Sequence, residues 1–179
     1  FTTSKDPAAS AKKPPRLKTR SQAGYIVFVT ERSIETSGAA KCMVADWRSA
    51  AIRRVCRSTF AAETMSAVDA LGAAQVLRAT LVWSLFPGSA ASDPDPQLCP
   101  IRCVTDCASL YDTIHREGSV KLPAERRLVL DLIGFREGLA EEIAHLVIGV
   151  AEASKLPLSW VPAAEQLGDG LTKRSTGER

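Results

Sequence analysis

The feature that most constrains the fold of this chain is a run of 26 residues, 60–85, that contains no proline and a single glycine, Gly72. Alanine, leucine, methionine and valine recur through the run at helical spacing, which predicts one long helix. Ser58 or Thr59 is the expected N-cap, and Pro87 ends the helix. Small residues on one side would let the helix lie close to a sheet, namely Ala67, Ala70 and Ala74.

Five short segments around this helix have the composition of strands. They occupy residues 25–30, 39–47, 52–56, 101–105 and 158–161. The first three follow one another with short links, which favours an antiparallel meander. Strands on both sides of a long helix predict a single domain of the mixed α/β class.

Shorter helices are predicted in the second half of the chain. They cover residues 108–115, 123–139 and 164–173, the last a closing helix that carries Asp169. Residues 141–154 fit either a continued helix, which we favour, or a buried strand at 146–150. We expect residues 1–23 to be a basic flexible segment with the remnant of a first strand, 24–174 to form the domain, and 175–179 to be a tail.

The positive charge is mild in total but unevenly distributed. The net charge is +3, and basic residues cluster near the start of the chain and again just before the long helix. Such clusters suit a polyanion such as nucleic acid, although a solvated tail and an ordinary charged strand face are equally compatible with them. The candidate nucleic-acid contacts are Lys12, Lys13, Arg53, Arg54 and Arg57.

The cysteine count and the hydropathy pattern indicate the compartment. Five cysteines with no signal peptide ahead of them predict reduced thiols in an intracellular protein, cytoplasmic or nuclear. No apolar run approaches the roughly 20 residues of a membrane helix, so we expect no membrane contact. The chain begins with Phe1, which suggests a segment of a longer polypeptide.

Three carboxylates are expected at the ends of separate elements. Asp106 ends the fourth predicted strand, Glu63 lies one turn into the long helix, and Asp169 is flanked by two glycines. The carboxyl end of a strand is where ligands bind in open α/β sheets. Hard carboxylate oxygens suit Mg²⁺, and two such ions about 3.5–4 Å apart support phosphodiester hydrolysis.

Each carboxylate also has a simpler interpretation. Asp106 is equally suited to cap the following helix, since Asp is a favoured N-cap residue. Glu63 is compatible with a favourable interaction with the helix dipole, and Asp169 with an ordinary helix position.

Four motifs, in order, resemble the ribonuclease H domain that closes the polyprotein of copia-type LTR retrotransposons. Residues 20–28 (RSQAGYIVF) are similar to the family's R-S-T-S-G-Y-x-x-F, and residues 57–63 (RSTFAAE) to S-S-T-E-A-E. Residues 104–110 (VTDCASL) are similar to x-x-D-N-x-S-A. The most specific match is 160–173 (WVPAAEQLGDGLTK) with V-P-T-x-x-Q-x-A-D-x-L-T-K.

The resemblance, which covers about residues 20–174, implies both a fold and a site. The fold is a mixed five-stranded sheet, three antiparallel strands then two parallel ones, flanked by helices. Glu63, Asp106 and Asp169 match the second, third and fourth acids of a site for two Mg²⁺ or Mn²⁺ ions. The family carries its first acid in the pattern F-x-D-A; Thr3 stands at that place here, and Asp6 is the candidate substitute.

The resemblance leads to two functional hypotheses. The first is a ribonuclease H that cleaves the RNA strand of RNA:DNA hybrids in retrotransposon reverse transcription, with an upstream reverse transcriptase domain of the same polyprotein as partner. The alternative is a decayed module that only binds nucleic acid or supports a reverse transcriptase, since the first acid is missing or displaced.

Overall fold

The computed structural model describes residues 21–88, 96–116, 125–144 and 156–168. In chain order the elements are β1 (Gln22–Thr30), a short helical turn α1 (Ile34–Ser37), β2 (Cys42–Ala51), α2 (Thr59–Leu85), β3 (Cys103–Thr105), α3 (Ala108–His115), α4 (Arg126–Ala144), β4 (Leu158–Trp160) and a 3₁₀ turn (Ala163–Glu165). The mixed α/β class predicted from the sequence is confirmed.

The strands form two separate two-stranded sheets in the described part of the chain. β1 and β2 pair antiparallel, with an irregularity between Val27 and Phe28, and β3 pairs with β4 in parallel. The prediction of a five-stranded sheet is therefore wrong for the residues that the structure describes. Two parts of the prediction are confirmed: the first strands pair antiparallel, and the last two strands pair in parallel.

The third predicted strand, 52–56, is also wrong. β2 runs on to Ala51, and the Ile52 N–H makes one more bond to the Ser21 carbonyl at 2.8 Å. Beyond it, apolar residues enter the core without strand pairing: Ile52 is buried, and Cys56 packs against the main cluster. Tertiary burial thus accounts for Ile52 and Cys56 in the apolar pattern that suggested a strand, whereas Val55 between them is exposed.

The long helix α2 begins and ends where the sequence predicts. Ser58 is its N-cap, with Oγ accepting a bond from the Ala61 N–H at 3.1 Å, and the helix stops at Leu85, two residues before Pro87. The helix lies close to β1, where the Ser66 hydroxyl donates to the Gly24 carbonyl at 2.8 Å. It also packs against β3, α3 and α4, so it contacts both sheets.

The predicted closing helix, 164–173, is wrong at its start. Only the 3₁₀ turn forms, and Gln166 after it has an extended backbone, which ends the turn. The Gln166 side chain instead donates from Nε2 to the Val104 carbonyl at 3.4 Å. Helix 108–115 is confirmed as α3, and α4 extends past the predicted 139 to Ala144. The first residues predicted for α4, the rest of 141–154, and Asp169 onward lie outside the described residues.

The core forms where α2, α3, α4 and the parallel sheet meet. Its largest fully buried side chains include Phe135, Leu110, Ile114 and Leu139. Beside this cluster, the Arg78 guanidinium of α2 donates to the Glu142 carboxylate of α4 at 2.5 Å, with side-chain exposures of 9% and 2%. A buried ion pair of this kind ties the two helices at a fixed position along their lengths.

We expect Glu142→Leu to lower the free energy of unfolding by about 3–5 kcal/mol, because it leaves the Arg78 charge buried without its partner. Adding Arg78→Met should recover most of the loss, because apolar residues of similar volume can replace a buried pair. Urea unfolding of the three proteins measures both effects.

The matched control is the exposed pair of Arg48 and Asp69, 3.1 Å apart. Asp69→Ala should cost less than about 1 kcal/mol, because a surface ion pair contributes little. A loss for Glu142→Leu as small as that of the control would contradict a stabilising role for the buried pair.

Candidate functional site

Asp106 follows β3 directly, at the carboxyl end of the parallel sheet. The capping alternative does not hold, because the N-cap of α3 is Cys107 and no side chain makes a capping hydrogen bond there. Instead, the Thr105 hydroxyl accepts a bond from the Cys107 N–H at 3.1 Å, which supports the turn between strand and helix. The half-buried Asp106 side chain therefore belongs to the strand end rather than to the helix cap.

Three successive backbone carbonyls at the end of β3 accept hydrogen bonds from one later segment. Val104 accepts from the Gln166 side chain, and Thr105 accepts from the Val161 N–H at 2.9 Å. Asp106 accepts from the indole Nε1–H of Trp160 at 3.0 Å. The backbone that presents Asp106 is thus fixed by residues on and after β4.

Glu63 lies in the second turn of α2 and is half-buried. The first turn of α2 contains no acidic residue, so Glu63 is beyond the range at which a helix dipole strongly favours a carboxylate. Two residues earlier, Ala61 belongs to the same buried cluster as Leu110 of α3. The starts of α2 and α3 therefore share one core, with Glu63 and Asp106 within a few residues of it.

The other predicted acids and two of the predicted basic residues lie outside the described residues: Asp6, Asp169, Lys12 and Lys13. Among the residues described, no three His, Cys, Asp or Glu side chains are grouped so as to hold a metal ion. Of the four predicted acids, Glu63 and Asp106 lie among the described residues. Both offer hard oxygen ligands of the kind that Mg²⁺ prefers.

The three predicted arginines have different environments. Arg53 and Arg57 are exposed, on the segment that leads into α2. Arg54 is half-buried, and its guanidinium pairs with the Asp131 carboxylate of α4 while Nε contacts the Met65 sulfur. Arg54 therefore joins this segment to α4, a structural role that its sequence neighbourhood does not reveal. Arg53 and Arg57 are the two that face solvent.

Two of the cysteines, Cys99 and Cys103, have thiols with a raised pKa. All five cysteines are free, as predicted. Burial raises the pKa of the Cys103 thiol, on β3, to about 12, and the Glu142 carboxylate adds to the rise. Burial likewise raises the pKa of Cys99. Because the thiolate is the reactive form, Cys103 stays protonated and inert at neutral pH.

Trp160 is the residue at this site that sequence reasoning missed. Trp160 is the first residue of the motif at 160–173, but its position in that motif does not predict a role. The only signal was an aromatic residue at the end of the last strand, directly before Val161 and Pro162.

No known protein family, curated protein or solved structure matches the chain. The helices in the described part of the chain do not combine the length and the apolar character that spanning a bilayer requires.

We expect Cys103 in the folded protein to react with iodoacetamide at pH 8 about a thousandfold more slowly than an ordinary thiol, because so little of it is thiolate. Its rate should rise about tenfold for each pH unit up to its pKa near 12. Mass spectrometry of labelled peptides over a pH series measures this.

The exposed Cys42 is the internal control, and labelling in denaturant shows that Cys103 is reactive once unfolded. Equal labelling of the two cysteines in the folded protein at pH 8 would refute the assignment of a buried, protonated Cys103.

Proposed function

We propose that the chain is a metal-dependent ribonuclease H, which hydrolyses the RNA strand of RNA:DNA hybrids in the reverse transcription of a copia-type retrotransposon. The observation that carries this proposal is the placement of Asp106. It stands at the carboxyl end of a parallel strand, outside the capping position, on a backbone fixed by three hydrogen bonds. That is where open α/β sheets bind ligands.

Glu63 supports the same site from another element. It projects from the second turn of α2, and its neighbour Ala61 shares a core with α3, the helix that follows Asp106. The motifs around both acids are those that resemble the ribonuclease H family. In our proposal, Asp169 and the acid near the start of the chain, at Asp6, complete the set.

The chemistry of this donor set fits two Mg²⁺ or Mn²⁺ ions. Glu63 and Asp106 are both half-buried carboxylates, so each side chain is partly withdrawn from water. In the proposed site the two carboxylates converge, and a bound cation would offset their repulsion. Bound ions would activate water and stabilise the leaving oxygen in phosphodiester hydrolysis. The role of the chain's own residues is to hold hard oxygen ligands at one fixed edge of the sheet.

The two small sheets are arranged in a way that suits a larger one. α2 packs against β1 of the antiparallel pair and against β3 of the parallel pair. We propose that the two pairs belong to the mixed five-stranded sheet that the resemblance implies.

The exposed arginines supply the proposed contact with the substrate. Arg53 and Arg57 face solvent just before the helix that carries Glu63, and we add Lys12 and Lys13 to the phosphate contacts. Phosphate contacts of this kind are independent of sequence and sensitive to salt. Recognition of the RNA strand would use its 2′-hydroxyls across the minor groove. The proposed partner is an upstream reverse transcriptase domain, in an intracellular setting.

The first test is cleavage of a labelled RNA:DNA hybrid in Mg²⁺ or Mn²⁺, with and without EDTA. We expect metal-dependent cleavage of the RNA strand, and Asp106→Asn should reduce it at least about a hundredfold, because a ligand should matter no less than the outer-shell groups around a metal. Asp112→Asn is the control, since Asp112 is an exposed carboxylate on α3 close by in sequence.

Cleavage that is absent, or unchanged in Asp106→Asn, would overturn the nuclease assignment. Tight hybrid binding without cleavage would instead favour the binding-only module, the reading that the Thr3 position suggests.

The second test is the salt dependence of hybrid binding in EDTA. Arg57→Gln should weaken binding and lower the slope of log K against log salt by about 1, because one phosphate contact and its released counterion are lost. Arg136→Gln, at an exposed arginine on α4, should leave the slope unchanged. Fluorescence anisotropy at four salt concentrations measures both, and equal slopes for Arg57→Gln and the parent would remove Arg57 from the interface.

A further inference from the structure

Trp160 combines a fixed orientation with an exposed ring. It ends β4, where its backbone pairs with Thr105, and its indole N–H donates to the Asp106 carbonyl at 3.0 Å. The residue nevertheless remains 46% exposed. An indole is a large apolar group, and it is usually well buried on average.

The hydrogen bond satisfies the polar N–H of the indole and leaves the apolar part of the ring available for contact with a ligand. Because Nε1–H is already satisfied by Asp106, the exposed part of the indole needs no polar partner. The same bond limits the rotation of the ring, so little side-chain entropy remains to be lost when a ligand packs against it. A restrained, exposed aromatic ring is the structural basis of stacking on nucleobases.

The residues that follow Trp160 are held to the same sheet. Gln166 donates to the Val104 carbonyl at 3.4 Å, and Leu167, just after the 3₁₀ turn, is exposed. The ring therefore stands at the carboxyl end of the parallel sheet, beside the backbone of the proposed metal ligand.

We propose that Trp160 is a stacking site for an unpaired nucleotide, placed beside Asp106. The inference rests on the proposed function for its substrate class, and it adds a specificity. Within a duplex, each interior base face is covered by its neighbours, so an indole can stack on an unpaired base or on the outer face of a terminal pair. A blunt hybrid offers only its terminal faces, whereas every base of an overhang is open to stacking. The site therefore prefers a hybrid that continues into a single strand over a blunt hybrid of the same length.

The test measures binding in EDTA, so it does not depend on cleavage. Trp160→Ala should weaken binding of a hybrid with a single-stranded overhang about tenfold, because alanine substitution removes base stacking, and it should change binding of the blunt hybrid much less. Trp160→Phe should retain most of the affinity for the overhang, since it keeps an aromatic face. Trp83→Ala, at an exposed tryptophan on α2, should change neither.

A spectroscopic measurement leaves the site intact. The chain has three tryptophans, so the double variant Trp47→Phe, Trp83→Phe reports on Trp160 alone. Overhang binding should quench its fluorescence strongly, and the blunt hybrid should quench it much less. Equal quenching by both, or equal losses for both hybrids in Trp160→Ala, would overturn the stacking proposal. If the nuclease assignment fails while the overhang preference holds, only the catalytic part of the function is lost.

Discussion

The packing of α2 is the interaction on which the rest of the structure depends. This helix contacts β1, β3, α3 and α4, and its buried residues include Ala61, Leu71 and Val82. Because it has neighbours on several sides, its apolar residues are not confined to one stripe as in a surface helix. Because α2 contacts β1 of the antiparallel pair and β3 of the parallel pair, it relates the positions of the two sheets in the described part of the chain.

The predictable part of the fold is what local sequence determines. The long helix and its Ser58 cap follow from a proline-free periodic run, and the parallel pair of β3 and β4 agrees with strands separated by helices. The predicted strand at 52–56 failed because Ile52 is buried by tertiary contacts, and burial leaves the same apolar signature as a strand. The number of strands in a sheet is likewise not predictable from a local pattern, because strand pairing joins residues that are distant in sequence.

The candidate site likewise has a part that the sequence predicts and a part that it does not. Asp106 and Glu63 are predicted as site residues from their positions at element ends. The structure removes the capping explanation for Asp106 and weakens the dipole explanation for Glu63. The ion pair of Arg54 with Asp131 was not predictable, because its partner lies 77 residues away. The bond from Trp160 to Asp106 spans 54 residues and depends on the parallel register. Charge and sequence motifs indicate candidate functional residues, whereas the contacts of those residues are known only from the fold.

The hydrogen bonds to the three carbonyls at the end of β3 also determine when, during folding, the backbone of Asp106 reaches its final arrangement. Their partners on and after β4 are separated from them by 54 and 62 residues for the Trp160 and Gln166 bonds. Contacts between such distant residues form late, because a long loop must close before they are made. During synthesis, the strand that carries Asp106 emerges well before the segment that completes it. A nascent chain would therefore hold this carboxylate in an incomplete setting until the last motif, which contains Trp160 and Gln166, had been synthesised.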